Sequence, residues 1–317
     1  MTAAPVVDIV WNQGTVAEWR ALYAAAPAAT LPQSFAYADA MARERGFVPR
    51  LGRIVADGRT VGLAQALERR SLKFFTQRQI HRGPLWLDGT PAPALAEAVM
   101  AILRRECPRN LRNNLSFLPE LPAGDEWAAL MARAGFRRIG PGYRTIRIDL
   151  TRPLDRLRAA WSASARQRLK QAEKAGLVLD IDAKAQNLPW LMGKEQAQAK
   201  TKGFRPLSGR LAVRLRNALL PENGAMMITA LHDGDAAAAG LFFIHGAAAT
   251  YQVGWAGDLG RDTHAMRLVL WRAFEVLRAR GVASLDLGGV NPDHAVGVTE
   301  FKTSLGGEMV ETVGLYR

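Results

Sequence analysis

The chain has 317 residues, enough for one large domain or two of ordinary size. Hydrophobic residues make up 49% of it and charged residues 22%, a globular balance that excludes a mostly disordered or fibrous protein. The formal net charge of +13 favours a polyanionic partner such as RNA, DNA, a nucleotide-linked substrate or an anionic membrane surface.

The first residues have neither the basic region nor the long apolar core of a secretory signal. The most apolar stretch, 236–255, contains polar residues and predicts two strands around a turn, so we expect a cytoplasmic protein without a transmembrane segment. The single cysteine, Cys107, excludes an intramolecular disulfide and a cysteine-based zinc site, and we expect it to be a small, partly buried side chain. The histidines show no metal-binding spacing, so no metal is expected.

Alternating strands and helices are predicted along the first half of the chain. The residues around Asp57-Gly58 predict two strands joined by a hairpin turn. The segments that follow predict a strand in RQIHRGPLWL, a helix at about 92–106, a strand at 114–117, a helix at 126–134 and a strand at 144–150.

The second half predicts the same layout. A hairpin around Asp233-Gly234 lies 176 residues after the first one. It is followed by a strand in ATYQVGWAG, a helix at about 263–280, a strand in ASLDLGG, a short helix near 299–304 and a final strand in EMVETVGLY. The matched order indicates two related α/β units, residues 1–150 and 151–317, with unrelated α/β segments as the alternative.

The positive charge is concentrated between the two predicted layouts. Residues 151–216 carry a net charge of +10, against +7 for residues 1–150 and −4 for residues 217–317. Apolar residues at spacings of three and four predict one amphipathic helix that ends at Gly176, and they are Leu154, Leu157, Trp161, Ala165, Leu169 and Ala172. Most cations lie off this stripe, where they form either a solvated face or a phosphate-binding face.

Several motifs resemble those of the FemAB-like transferases, the peptidoglycan-bridge aminoacyltransferases and their relatives. The resemblance rests on HAMRLVLW, LDLGGV and FKTSLGG, of which LDLGG and FKTSLGG are the most specific pair. Further matches are QSFAYADAMARERG, HRGPLW, TIRIDL and SARQRLKQAEKAGLVL. The resemblance implies an α/β fold of two tandem GNAT-like (N-acetyltransferase-like) domains, each a mixed central sheet flanked by helices. It also implies transfer of an aminoacyl group from aminoacyl-tRNA to an amine on a UDP-linked or lipid-linked precursor.

The same resemblance points to candidate catalytic residues near the end of the chain. It places Lys302, in FKTSLGG, at the family's functional lysine, where an ammonium would stabilise the tetrahedral intermediate or hold the 3′ end of a tRNA. Asp286, Gly288 and Gly289 end a predicted strand, where α/β folds often place sites. Asp286 is a candidate base or substrate contact, with a structural hydrogen bond as the alternative, and Phe301 is a substrate contact or packing.

Three further residues are candidate substrate contacts. Tyr251 alternates with Trp255 on a predicted strand and either lines a cleft or packs a core. His264 opens a predicted helix, where it would contact an anion through the helix N-terminus or simply cap and pack. Arg205, in KGFRPLSGR, lies where the resemblance implies basic contacts to substrate.

Two departures from the family patterns leave the substrates open. The stretch DLGRDTHAMRL lacks the paired glycines with which acetyl-CoA-dependent GNAT proteins hold pyrophosphate. Met41 stands about where bridge-forming members have a lysine for the phosphate of the precursor. We expect no tightly bound cofactor, an acyl donor as co-substrate, and peripheral association with the inner membrane face. The alternatives are an acyl-CoA- or acyl-carrier-protein-dependent acyltransferase and a FemAB-like protein that only binds.

Overall fold

The computed structural model describes residues 6–71, 75–108, 110, 112–203 and 206–317. In chain order the first elements are β1 (Val7–Trp11), α1 (Val16–Ala25), α2 (Phe35–Arg45), β2 (Val48–Ala56), β3 (Arg59–Ser71), β4 (Phe75–His81), β5 (Leu85–Trp86), α3 (Pro93–Glu106), β6 (Asn113–Leu118), α4 (Asp125–Arg133) and β7 (Arg138–Gly140). The remaining elements are β8 (Arg144–Asp149), α5 (Leu154–Ala160), α6 (Ala163–Lys174), β9 (Val178–Asp182), α7 (Leu188–Lys202), α8 (Gly209–Leu219), β10 (Ala225–His232), β11 (Asp235–His245), β12 (Ala248–Ala256), α9 (Asp258–Asp262), α10 (Ala265–Ala279), β13 (Ser284–Gly289), α11 (Val296–Thr303), β14 (Glu308–Glu311) and β15 (Leu315–Tyr316).

The described strands form two mixed sheets. One has the order β1-β2-β3-β4-β6-β15-β7, with β5 paired to β3, and the other has the order β14-β8-β13-β12-β11-β10-β9. In each sheet an antiparallel hairpin and a third antiparallel strand are followed by a helix and by a strand parallel to the third one, β6 beside β4 and β13 beside β12. The predicted repeat of one α/β layout is therefore confirmed.

Both Asp-Gly pairs form the predicted hairpin turns. Asp57 and Gly58 have φ values of 48° and 79°, and Asp233 and Gly234 have 51° and 87°. Two consecutive residues at positive φ match the right-handed twist of the strands that they join, and aspartate and glycine tolerate this conformation better than other residues. The same dipeptide therefore sets the register of β2 with β3 and of β10 with β11.

The boundary between the two units differs from the predicted one. Unit 1 comprises Met1–Arg144 and Val310–Arg317, and unit 2 comprises Thr145–Met309. The strand predicted at 144–150 was assigned to the first unit, but all of it except Arg144 belongs to unit 2, because β8 pairs with β13. The predicted final strand is two strands, since β14 lies in the second sheet and β15 lies between β6 and β7 in the first.

The predicted basic helix is also two helices, α5 and α6. They are separated at Trp161 and Ser162, and the Ser162 hydroxyl accepts a hydrogen bond from the Ala165 amide, which begins α6. Trp161 keeps its predicted place in the core, where its ring meets Trp271 and Phe274 edge-on at centroid distances of 5.8 and 5.9 Å. Burial of each such ring stabilises unit 2 by about 2 kcal/mol.

Candidate active site in unit 2

Lys302 lies on α11 with its side chain inside unit 2. Only 9% of the residue is exposed, and Nζ donates hydrogen bonds to the carbonyl oxygens of Gly288 at 3.1 Å and Gly289 at 2.9 Å. Thr299, one turn earlier, is buried on the same face, so helical spacing directs the lysine inward. An ammonium has three N–H donors, and these two bonds leave one for a substrate oxygen.

The environment of Lys302 brings its titration close to neutral pH. Burial lowers the pKa of Lys302 to about 8, because the charged form loses its hydration, and the negative charge of Asp286 acts in the opposite direction. An amine with this pKa is protonated in about nine of ten molecules at pH 7. Lys302 is therefore mainly an ammonium, which can donate to a developing oxyanion.

The two carbonyl acceptors belong to a turn at the end of β13. Gly288 has a φ of +76°, a conformation that glycine adopts without strain. A Cβ at this position would lie 2.9 Å from the carbonyl oxygen of Tyr251 and 3.5 Å from Lys302 Nζ. Glycine is therefore required both for the positive φ of the turn and for the close approach of the Tyr251 carbonyl oxygen.

Asp286 holds this turn from the side of the sheet. Its Oδ1 accepts hydrogen bonds from the Gly288 amide at 2.8 Å and from the hydroxyl of the buried Thr145. Thr145 Oγ1 also lies 3.0 Å from the carbonyl oxygen of Gly288. These contacts favour a positioning role for Asp286, and its role as a base or substrate contact stays a prediction.

Tyr251 is part of the core rather than of an open cleft. It is 8% exposed, its ring stacks on Phe242 at a centroid distance of 5.3 Å, and its hydroxyl donates to Met266 Sδ at 3.3 Å. Burial raises the pKa of this hydroxyl. Of the two predicted roles, the side chain therefore takes the core position in this structure, and a substrate contact by Tyr251 stays a prediction. The Tyr251 carbonyl oxygen borders Gly288.

Phe301 and His264 lie beside a second basic group. The ring of Phe301 packs against the guanidinium of Arg267, whose Cζ is 4.7 Å from the ring centre. His264 precedes α10 with a φ of +57°, and its pKa is lowered by burial and by the positive charges of Arg168 and Arg267. Arg205, also predicted to contact substrate, lies outside the described residues.

The sequence analysis missed Arg267 and Thr145. Arg267 precedes Leu270 by three residues and Phe274 by seven, and both are buried on α10, so an arginine occupies a core position of the helical pattern. An arginine at a predicted core position could therefore have been singled out from the sequence. Thr145 could not, because a threonine in a strand is ordinary and its partner Asp286 is 141 residues away.

Other expectations concern residues outside the cluster. Cys107 is buried in unit 1, as expected, and burial raises the pKa of its thiol. Met41 is also buried, at 2% exposure, so its side chain belongs to the core of unit 1. No group of three metal-ligating side chains occurs among the described residues. None of the helices in the described part of the chain has the length and apolar character of a membrane span.

Comparison with known proteins identifies the domain type that carries this cluster. Residues 160–303 match the acetyltransferase (GNAT) domain family. Among curated proteins, no sequence matches the chain.

Three solved structures share the fold. FemX has a TM-score of 0.79 at 14% identity, with 97% of this chain and 96% of FemX covered. A tandem GNAT protein from the clavulanic acid biosynthesis pathway has a TM-score of 0.53 at 18% identity, with 98% of both chains covered. The C-terminal domain of a protein assigned as a lysylphosphatidylglycerol synthetase, from Agrobacterium fabrum, has a TM-score of 0.51 at 15% identity, with 95% of this chain and 91% of that chain covered. At these identities the likeness concerns the fold alone, which is a tandem GNAT fold.

Proposed function

We propose, from the match of residues 160–303 to the acetyltransferase (GNAT) domain family and from the fold shared with FemX, that the chain is a FemAB-like acyltransferase of the GNAT superfamily. In this proposal it transfers an aminoacyl group from aminoacyl-tRNA to an amine on an envelope precursor, in the cytoplasm. The observation that carries the proposal is the buried ammonium of Lys302, held by two carbonyl oxygens with one donor left over. Such a donor suits a reaction in which negative charge develops on an oxygen atom in a site with little water.

Acyl transfer to an amine has this requirement. The amine nitrogen attacks the carbonyl carbon of the ester and forms a C–N bond, and negative charge develops on the carbonyl oxygen. Lys302 donates its remaining N–H to that oxygen in the tetrahedral intermediate. The C–O bond to the ribose then breaks, the nitrogen loses a proton, and the ribose oxygen gains one. Neither a metal nor a bound cofactor takes part in this sequence.

The choice of a polyanionic donor is supported by the charge of unit 2. Residues 151–216 carry +10, and the cations Arg168, Lys170 and Lys174 are exposed on α6. An exposed basic face strengthens binding to a nucleic acid through release of counterions, and this contribution weakens as salt rises. Transfer is therefore expected to show a KM for charged tRNA that increases with ionic strength.

The proposed acceptor is an amine carried by an envelope component. The motifs of the chain resemble those of enzymes that modify peptidoglycan precursors, and one protein with the same fold is assigned to lysylphosphatidylglycerol synthesis. Both suggest an amine or hydroxyl carried by an envelope component. We propose an amine on a nucleotide-linked or lipid-linked precursor, with the protein associated peripherally with the inner membrane face.

A thioester donor is the second candidate, because the matched family is described as an acetyltransferase domain. The residues before α10 argue against the usual mode of binding. Gly260 has no neighbouring glycine, and a Cβ there would lie 2.0 Å from the Ala237 carbonyl oxygen, so this glycine serves packing. Coenzyme A would therefore have to be held by other groups.

The test is to offer the purified protein aminoacyl-tRNAs and acyl-CoAs together with amine acceptors, and to identify the consumed donor by mass spectrometry. Lys302→Met, which removes the charge but keeps the length of the side chain, is expected to lower kcat at least about 100-fold with an unchanged circular dichroism spectrum. Arg272→Met is the matched control, because that cation is half exposed and paired with Glu275. Full activity of Lys302→Met would contradict the role of Lys302, and exclusive consumption of acyl-CoA would contradict the donor.

A further inference from the structure

A cavity of about 200 Å³ lies in unit 1, where the loop between β1 and α1 meets β2. A cavity of about 150 Å³ can hold a ring of six carbon atoms, so this one has room for a ligand of about eight non-hydrogen atoms. Its walls include the side chains of Asn12, Val16, Glu18, Trp19, Leu51 and Arg53. All of these residues belong to unit 1, whereas Lys302 and its hydrogen-bond partners belong to unit 2.

The loop that forms one wall is fixed by short-range contacts. The Asn12 amide donates to the Leu51 carbonyl oxygen at 2.7 Å, and the Leu51 amide donates to Asn12 Oδ1 at 3.0 Å. Thr15 then begins α1 with a capping box, in which its hydroxyl accepts from the Glu18 amide and Glu18 Oε2 accepts from the Thr15 amide at 2.6 Å. The walls are therefore formed before any ligand arrives, which is usual for small-molecule sites.

Arg53 contributes a positive charge that has no partner in the protein. The residue is partly buried on β2, and its Nε is enclosed. Within the ranges that the structure describes, none of its three nitrogens donates to a protein acceptor. Burial removes part of the hydration of a guanidinium, so structures usually supply an acceptor. The flat fork of its two terminal nitrogens matches the two oxygens of a carboxylate.

Two further polar groups line the same cavity. Trp19 is only 4% exposed, and its Nε1 is enclosed without an acceptor among the described residues, although buried donors usually have one. In the described part of the chain Glu18 forms no ion pair with Arg53, so two opposite charges line one cavity without meeting. The carboxylate of Glu18 repels a doubly charged anion more than a singly charged one, which favours a carboxylate over a phosphate.

We propose that this cavity binds a small aliphatic carboxylate. The fork of Arg53 would hold the carboxylate group, and Val16 and Leu51 would contact the aliphatic part. The carboxylate belongs either to a simple acid or to an amino acid, whose ammonium group would lie near Glu18. The inference is independent of the proposed function, because no residue of the Lys302 cluster enters it.

The experiment is isothermal titration calorimetry with three probes of one carbon skeleton, pentanoate, L-norvaline and pentanamide. Pentanoate or norvaline is expected to bind the unmodified protein with a Kd on the order of 1 mM, as suits a ligand of this size. Pentanamide keeps the size of pentanoate but has no charge, so it is expected to bind at least about tenfold more weakly. Inorganic phosphate is the fourth probe and is expected to bind more weakly than pentanoate.

Variants then test the assigned contacts. Arg53→Gln removes the charge and the fork, and it is expected to weaken binding of pentanoate at least about tenfold with an unchanged circular dichroism spectrum. Arg59→Gln is the matched control, because Arg59 is an exposed arginine at the start of β3 that does not line the cavity. It is expected to bind within about twofold of the unmodified protein. Glu18→Gln retains an oxygen for the capping box and removes the negative charge.

The outcomes separate the two sources of the carboxylate. Tighter binding of norvaline than of pentanoate assigns the cavity to an amino acid, and Glu18→Gln is then expected to remove that difference. Equal or tighter binding of pentanoate assigns it to a simple acid.

Other results would overturn the proposal. It fails if neither pentanoate nor norvaline binds at about 20 mM, well above the expected Kd. It also fails if pentanamide or phosphate binds as tightly as pentanoate, or if folded Arg53→Gln binds pentanoate as the unmodified protein does. The comparison among probes uses the unmodified protein, so it decides the question even if Arg53→Gln does not fold.

Discussion

Replacing Glu195 by glutamine tests the electrostatics of unit 2 at one position. Glu195 lies on the buried face of α7 between Leu191 and Ala199 and is 9% exposed. The backbone of Leu207 hydrogen-bonds its carboxyl group, but Oε2 is enclosed without a partner among the described residues. Burial in this apolar stripe raises the pKa of Glu195 from 4.5 to about 7, because the charged carboxylate loses its hydration there, and the hydrogen bond from the Leu207 backbone acts in the opposite direction.

The magnitude and sign follow from this pKa. The pKa of this carboxyl group rises from 4.5 in the unfolded chain to about 7 in the folded one. Its free energy of ionisation therefore differs by about 3 kcal/mol between the two states. Below pH 4.5 the group is protonated in both states. Between pH 4.5 and 7 the unfolded chain releases the proton while the folded chain keeps it, so the free energy of unfolding falls as pH rises. Above pH 7 the full loss of about 3 kcal/mol remains.

Glutamine resembles the protonated carboxyl group at every pH. Glu195→Gln is therefore expected to lie within about 1 kcal/mol of the unmodified protein at pH 5 and to exceed its unfolding free energy by about 2 to 3 kcal/mol at pH 9. The measurement is urea denaturation at both pH values, with the transition of unit 2 compared between proteins. Glu308→Gln, an exposed glutamate of the same unit, is the matched control and is expected to show no such difference. Equal stability differences at pH 5 and pH 9 would refute the assigned cause.

Three further changes test the cluster around Lys302. Activity, measured as kcat/KM, is expected to fall as pH rises through about 8, because Lys302 loses its proton there, and Lys302→Arg is expected to keep its residual activity to higher pH. If kcat/KM of both proteins instead rises through pH 8, only deprotonation of the acceptor amine controls the rate. That result would contradict a catalytic role for the Lys302 ammonium. Gly288→Ala is expected to cost about 1 to 3 kcal/mol and to abolish most transfer, since its Cβ meets the Tyr251 carbonyl oxygen, whereas Gly297→Ala, with open space around it, is expected to behave normally. Thr145→Val, which removes one hydroxyl from Asp286 and Gly288, is expected to cost about 1 to 2 kcal/mol and to lower kcat more than it changes KM; an unchanged kcat would show that this hydroxyl does not hold the turn.

Local signals were sufficient to predict most of the fold. The Asp-Gly pairs determine their hairpins because two consecutive positive φ values leave few alternatives. Helix ends at Gly176 and strand ends at Gly289 were also predicted, since glycine and changes of hydrophobic period mark them. The break between α5 and α6 was missed because the apolar spacing continues through Trp161, while the capping hydroxyl of Ser162 has only a weak signature in sequence.

The candidate site was predicted only in part, for a related reason. Lys302, Asp286 and Gly288 belong to short motifs, so they were found together, and the structure places them in one hydrogen-bonded cluster. For Tyr251 the sequence left a cleft position and a core position open, because alternation on a strand does not tell which face is enclosed. Arg267 required knowledge of its neighbours, since what distinguishes it is the lack of an acceptor around a buried guanidinium.

The return of the chain to unit 1 has a consequence for biosynthesis. Strand β15 is made after the whole of unit 2, and it is the link that joins β7 to β6 in the first sheet. On the ribosome, a nascent chain that has reached Met309 already contains every residue of unit 2, while the first sheet still lacks this strand. The edge of β6 is then unpaired, and an unpaired strand edge is prone to pairing with another chain. The first sheet can therefore be completed only after Val310–Arg317, which follow unit 2 in the sequence, have been synthesised.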